Sequence, residues 1–189
     1  DRVIAHPSPA VRAWAIRFNS QEGKVDPVFA QSLVQLARGD PSPVVRLALA
    51  SALPSLPDET RWLVTEALAS HGEDADDRFL PKLIWQGMAP LVDKDQTRPL
   101  ALAGRTPLSS LADSIHWSAG RNAAGRNALV AMARDAKTEA AMLRLLHLLA
   151  FSLEPDAAVP MPKDWPQVVA RAASLRSEEA RILTEELGA

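Results

Sequence analysis

The sequence predicts an all-α protein built as an α-solenoid, a superhelix of stacked helical hairpins, and three observations predict it. The first is a repeated phrase. His6-Pro7-Ser8-Pro9-Ala10-Val11-Arg12 returns 34 residues later as Asp40-Pro41-Ser42-Pro43-Val44-Val45-Arg46. A period of that length, with one supersecondary unit per copy, marks a helical repeat array. The second is composition: Ala and Leu dominate, Tyr is absent and Phe is limited to 4 residues. That favours helices packed through small side chains over β-branched, aromatic strands. The third is apolar spacing, clearest at Leu80, Leu83, Ile84, Gly87, Met88, Leu91 and Val92, which share one helix face.

Each phrase combines a turn with a helix start. Asp40 or Ser42 can cap the first free N–H groups, and Pro sits in a first turn that needs no N–H partner. Ala13-Trp14-Ala15-Ile16-Arg17-Phe18 continues one copy, and Leu47 through Leu53 the other. Val11 and Val45 are expected to point inward. A weaker echo, Ser177-Glu178-Glu179-Ala180-Arg181, places its Arg 135 residues beyond Arg46, close to four periods. Between the two phrases Phe29, Leu33, Leu36 and Ala37 fall at helical spacing, so each unit is a helix pair joined by a Pro-containing turn.

Residues 59–70, with Trp62, Leu63, Glu66, Ala67 and Leu68, play the same part, and further helices are predicted near 96–103, 107–117, 123–134, 138–153, 166–175 and 178–187. The whole of 1–189 reads as one repeat array cut from a longer multidomain protein. Irregular breaks are expected near 117–125, which is polar and contains Gly, and near 154–166, which carries four prolines.

Composition also excludes. With 47% apolar and 23% charged residues the chain is that of a folded protein. A formal charge of −2 and a pI near 6.1 give no bulk attraction to a phosphate backbone or an anionic membrane. The absence of Cys rules out disulfides, thiolate metal sites, Cys nucleophiles and C-x-x-C-H haem attachment within these residues. No apolar run approaches the ~20 residues that span a bilayer, and the first residues lack a signal-peptide layout. The four histidines, at 6, 71, 116 and 147, fall on separate elements, and no H-E-x-x-H, Ser-His-Asp spacing or phosphate loop is present. No enzyme chemistry, cofactor or metal is therefore expected of this segment.

Three sets of residues remain as candidates. Asp40 and Arg46, with Arg12 and Arg181 at equivalent positions, form a cap and ladder in which an Asp caps its own helix and meets Arg side chains of stacked units. His6 replaces the Asp in the first copy, which predicts a weakened ladder there. Trp14, Arg17, Trp85 and Gln86 form a possible partner surface, because both tryptophans fall on second helices of their hairpins, though core packing is the leading expectation for each ring. Trp62 is placed in the core. His71, Asp74 and Asp77, in an acidic run with Glu73 and Asp76, are a remote ion site; the run lacks the ligand-and-Gly pattern of a calcium loop, and capping is its main expected role.

The Asp-Pro-Ser-Pro-x-Val-Arg phrase resembles HEAT-like repeats of the PBS-lyase type. Arg12 to Arg17, Val45 to Leu53, Glu73 to Asp77, Leu80-Pro81, Ile84-Trp85, Pro90-Leu91-Val92 and Val159-Pro160-Met161-Pro162 are similar to the helical-repeat region of large planctomycete and verrucomicrobial proteins. Those are called membrane-bound dehydrogenases or PVC-type haem-binding proteins. The resemblance runs from about residue 3 to the end, and the sequence departs from the pattern at Gln86 and Ala89, where aromatic and acidic residues are common. It implies a β-propeller before this region, a cytochrome c-like domain after it and a periplasmic or extracytoplasmic location.

The expected function is a non-catalytic scaffold that docks a protein partner or neighbouring domains, without nucleic acid and without membrane insertion. Two alternatives come from shared repeat chemistry: a DNA-binding enzyme of the alkyl-base glycosylase type, and a chromophore-lyase-like repeat protein.

Overall fold

The second proline of each repeated phrase opens a helix. The computed structural model describes residues 3–20, 25–153, 159–175 and 177–188, and in it Pro9 begins α1 (Pro9–Ser20) and Pro43 begins α3 (Pro43–Ala52). The N–H group that proline lacks has no partner at a helix start, so the position is favourable. The capping acceptor is not the serine between the prolines: the Ser42 side chain makes no cap bond. Instead Asp40 Oδ1 accepts the Ser42 N–H at 3.0 Å, and His6 Nδ1 accepts the Ser8 N–H at 3.0 Å. Val45 is fully buried and Val11 half-buried.

The remaining helices are α2 (Pro27–Gly39), α4 (Asp58–Leu68), α5 (Leu80–Val92), α6 (Thr97–Ala103), α7 (Ser109–Gly120), α8 (Ala123–Asp135), α9 (Glu139–Ser152), α10 (Trp165–Ser174) and α11 (Glu178–Gly188). Among the described residues there is no strand, so the protein is all-α. Starts follow side-chain chemistry. Asp26 accepts from the Val28 and Phe29 N–H groups, Asp77 from Phe79 and Leu80, Asn122 from Gly125 and Thr138 from Ala141.

One boundary moved. The stretch His116 to Gly120 is helical, extending α7 three residues beyond the end expected from its polarity, and the turn takes only Arg121 and Asn122. Their N–H groups bond Ser118 O and Ala119 O at 3.2 Å each, while the Asn122 side chain caps α8. The fit is tight: a Cβ on Gly125 would lie 2.1 Å from Ala119 O. Between α9 and α10 residues 154–158 lie outside the described set, and Pro160 and Pro162 are outside helices.

Chain contacts divide the protein into residues 1–112 and 113–189, with the boundary inside α7. In the first unit α1 packs on α3 and α3 on α5, while α2 packs on α4. In the second unit α8 packs on α10 and α9 on α11, with α8 also on α9 and α10 on α11. Alternate helices therefore neighbour one another in each unit. Leu33, Leu49, Leu53, Leu68, Ile84, Met88 and Leu91 are buried at the centre of the first unit, and Leu129, Val130, Met142, Leu146 and Val168 in the second. Trp62 is buried as expected, with the Arg98 guanidinium 5.0 Å above its ring. No helix among the described residues is long and apolar enough to cross a membrane.

Side-chain hydrogen bonds share a regularity of their own. Among the described residues, bonds from Arg12–Asp40 and Arg46–Asp74 at 28 positions to Arg98–Glu59 at 39 join residues distant in sequence. The same range covers the second unit, with Arg134–Asp164 at 30, Arg144–Asp113 at 31 and His147–Glu179 at 32. Bonds one helix pair apart in sequence are what a repeated stacking operation requires.

Candidate functional site

The ladder residues make a staggered chain of ion pairs. Arg12 Nε and Nη2 donate to the two carboxylate oxygens of Asp40 at 2.7 and 2.8 Å, and Arg46 Nε and Nη2 donate to those of Asp74 at 2.6 Å each. Each Arg also reaches back along its own turn. Arg12 Nη1 donates to His6 O and Pro7 O, and Arg46 Nη1 to Asp40 O at 3.2 Å. The expected pairing of Asp40 with Arg46 thus runs through the Asp40 carbonyl, and each carboxylate belongs to the Arg of the preceding odd-numbered helix. A bidentate guanidinium fork fixes angle as well as distance, so the ladder sets how α1, α3 and the turn before α5 meet.

Arg181 is not part of this ladder. Its Nη1 donates to both oxygens of Glu185 at 2.7 and 2.8 Å in an exposed pair one turn along the same helix. Position 175, two residues before its cap, holds Leu where the ladder has Asp.

Burial pushes the Asp40 carboxyl pKa up, but hydrogen bonds from Arg12 and the Ser42 N–H, with the charges of Arg12 and Arg46, outweigh it and hold the group below the ordinary carboxylate value. A carboxyl with a lowered folded pKa contributes stability that is present above the unfolded value and is lost as pH falls through the folded one.

The acidic run resolves into separate tasks. Asp74 is spent on Arg46, Asp77 caps α5, and His71 Nε2 contacts Ala37 O at 2.8 Å while its Nδ1 contacts Glu73 at 2.9 Å. Among the described residues no three His, Cys, Asp or Glu side chains are grouped so as to hold a metal ion. The ion site suggested for His71, Asp74 and Asp77 is therefore not assembled. His71 instead belongs to a set the sequence did not reveal. Thr106 Oγ1 donates to Ala69 O at 2.6 Å, and Arg171 donates to Arg134 O and Ala136 O. With His71 they serve carbonyls at the C-terminal ends of α2, α4 and α8, which lack partners within their helices.

The suggested partner surface divides. Trp14 is 57% exposed, against the expectation of core packing, and stacks with Phe18, 65% exposed, at a centroid distance of 5.6 Å. The Arg17 guanidinium lies 5.8 Å from the Trp14 ring centroid. Phe18 was missed because a lone Phe in an apolar stripe reads as core. Trp85 is half-buried and Gln86 exposed on α5.

The histidines stay apart. His147 is exposed and contacts Glu179 at 2.9 Å. His116 is buried, and its Nε2 has no hydrogen-bond partner. Burial pushes its pKa down; Asp113 opposes this and Arg144 adds to it. With the folded value below the unfolded one, the unfolded chain binds more protons as pH falls through about 6.5, and stability drops. The urea midpoint is expected to decline between about pH 7 and 5 in wild type and to decline less in His116→Leu. Parallel profiles for the two proteins would rule this out.

The chain matches no protein-family model, no curated protein and no solved structure.

Proposed function

We propose that this chain is a segment of an α-solenoid of HEAT-like hairpins, acting as a non-catalytic scaffold that docks a protein partner. The observation that carries the proposal is the recurrence of inter-element hydrogen bonds at 28 to 39 residues, which supports one stacking step repeated within each unit. A repeat array offers extended surface at low sequence cost, and the exposed Trp14 and Phe18 rings supply the rigid aromatic area on which partners are anchored. The engagement of Arg12, Arg46, Arg98, Arg134, Arg144 and Arg181 by carboxylates supports a protein partner over nucleic acid, because phosphate binding draws on free cations. The glycosylase-type alternative ranks below it for that reason. Catalysis, and any redox chemistry, would belong to other parts of a larger protein.

Site-specific photo-cross-linking in the native cells tests this. A photoreactive residue placed at Trp14 or Gln86 is expected to give one discrete protein adduct, and the same residue at the exposed Gln31 of α2 none. Equal labelling at all three positions, or none at any, would remove the docking proposal. Salt-sensitive retention of duplex DNA by the purified chain would replace it.

A further inference from the structure

We infer that α6 is an electrostatic strap, drawn onto α4 over the Trp62 ring by charge and released by ionic strength while the rest of the first unit stays folded; the inference is independent of the docking function. The strap is short. α6 has 7 residues, too few to hold helical form alone, and it buries Pro99, Leu102 and Ala103. α2 packs directly on α4, but α6 comes into no comparably close packing with α4 or α5. Long side chains span the gap instead.

Cations on the strap and its flanks reach carboxylates on α4. Lys94 Nζ donates to Asp58 at 2.6 Å, and Arg105 Nη2 to Glu66 at 2.9 Å. Between them Arg98 forks, with Nε and Nη2 on Glu66 at 3.2 and 3.3 Å and Nη1 and Nη2 on Glu59 at 3.1 and 3.4 Å. The same guanidinium lies 5.0 Å from the Trp62 ring centroid. Each of these bridges runs in one direction, from a cation in 94–105 to an anion of α4. Arg61, the cation of α4 itself, is turned away to the carbonyls of Pro54 and Leu56. The two segments therefore attract one another as wholes.

Exposure decides how these pairs respond to salt. The side chains of Lys94 and Asp58 are 65% and 54% exposed, and those of Arg105 and Glu66 are 56% and 26%. Dissolved ions screen such pairs, whereas Arg46 and Asp74 of the ladder, at 4% and 5%, are screened far less. The first unit thus holds two kinds of ion pair, and raised salt separates them: the strap loosens and the ladder stays. Opening lifts Arg98 from Trp62 and brings Leu102 and Ala103 into water.

Hydrogen exchange of the full chain, followed by mass spectrometry, reads the opening. The amides of Gly104, Arg105 and Thr106 are bonded to the carbonyls of Leu100 and Leu102. They are expected to exchange about tenfold faster in about 1 M than in about 0.05 M sodium chloride, while the amides of α3 change by less than about twofold. The chain has no cysteine, so a single introduced thiol gives a second readout. Alkylation of Ala103→Cys by uncharged iodoacetamide should show the same salt response, and alkylation of Ala50→Cys, buried on α3, should show none. When Ala103→Cys is combined with Glu59→Gln and Glu66→Gln, alkylation should be fast at low salt and no longer respond to salt. The exchange measurement uses the unaltered chain, so it decides whether or not the variants fold. Exchange at Gly104 to Thr106 that ignores salt overturns the inference, because apolar burial would then be what holds α6. Equal acceleration there and in α3 overturns it too, because the unit would be opening as a whole. So does an Ala103→Cys rate that the two glutamine substitutions leave unchanged.

Discussion

Asp74→Ala is expected to destabilise the chain by about 3–5 kcal/mol, the range for removing one member of a buried ion pair. The Arg46 and Asp74 side chains are 4% and 5% exposed, so the truncation strands a guanidinium that has lost its two shortest bonds. What remains is Glu73 at 3.6 Å, itself largely in solvent, and the Asp40 carbonyl. Asp40→Ala should cost less, because its partner Arg12 is 12% exposed and keeps the His6 and Pro7 carbonyls. Replacing both members, as in Arg46→Met with Asp74→Leu, removes the stranded charge and should recover most of the loss. Urea denaturation of the four proteins measures this. An Asp74→Ala loss below about 1 kcal/mol, or a double variant no better than the single, would show that the pair is not what holds this turn.

The period that predicted the helices also contained this pair. Asp74 stands 34 residues after Asp40, as Asp40 stands 34 after His6, yet the surrounding Glu73, Asp76 and Asp77 made it look like one of a cluster of ligands. Register identified the residue better than local composition did. Helix starts were legible for a related reason: Pro9, Pro43 and Asp77 act on backbone groups within three residues, so their effect is local. The end of α7 was not, because His116 and Ser118 look like loop residues until the burial of Ile115, His116 and Ala119 is known.

The site was less legible than the fold. Trp14 and Trp62 lie in similar alanine- and valine-containing stripes, and only packing separates them: one lies beneath Arg98 in the core and the other faces outward. The carbonyl contacts of His71, Thr106 and Arg171 leave no local sequence signature, since each partner is 34 to 37 residues away and contributes only backbone. Arg181 shows the converse. A phrase that matches the repeat locally does not join the ladder when the carboxylate that would precede its cap is Leu175.

Leu53→Ala should cost about 2–5 kcal/mol, the range for emptying a fully buried leucine site, and its effect should be coupled to that of Gly87→Ala. Leu53 is the first residue of a short 3-10 turn, Leu53–Ser55, that closes α3, and α5 passes over it at Gly87. A Cβ on Gly87 would lie 2.4 Å from Leu53 Cβ and 2.7 Å from its Cδ1, so glycine in mid-helix is required by close approach and not by backbone conformation. Gly87→Ala alone should therefore destabilise by about 1–3 kcal/mol through overpacking, despite the better helix propensity of alanine. In the double variant the alanine at 53 keeps the Cβ contact at 2.4 Å but relieves those with Cδ1 at 2.7 Å and Cγ at 3.1 Å, so part of the overpacking is removed. The combined loss should fall short of the sum of the two by at least about 0.5 kcal/mol, as expected of residues in direct contact. Additive losses in a urea-denaturation cycle would mean that α5 yields as a rigid body instead of being seated on Leu53, and a stabilising Gly87→Ala would contradict the close approach itself.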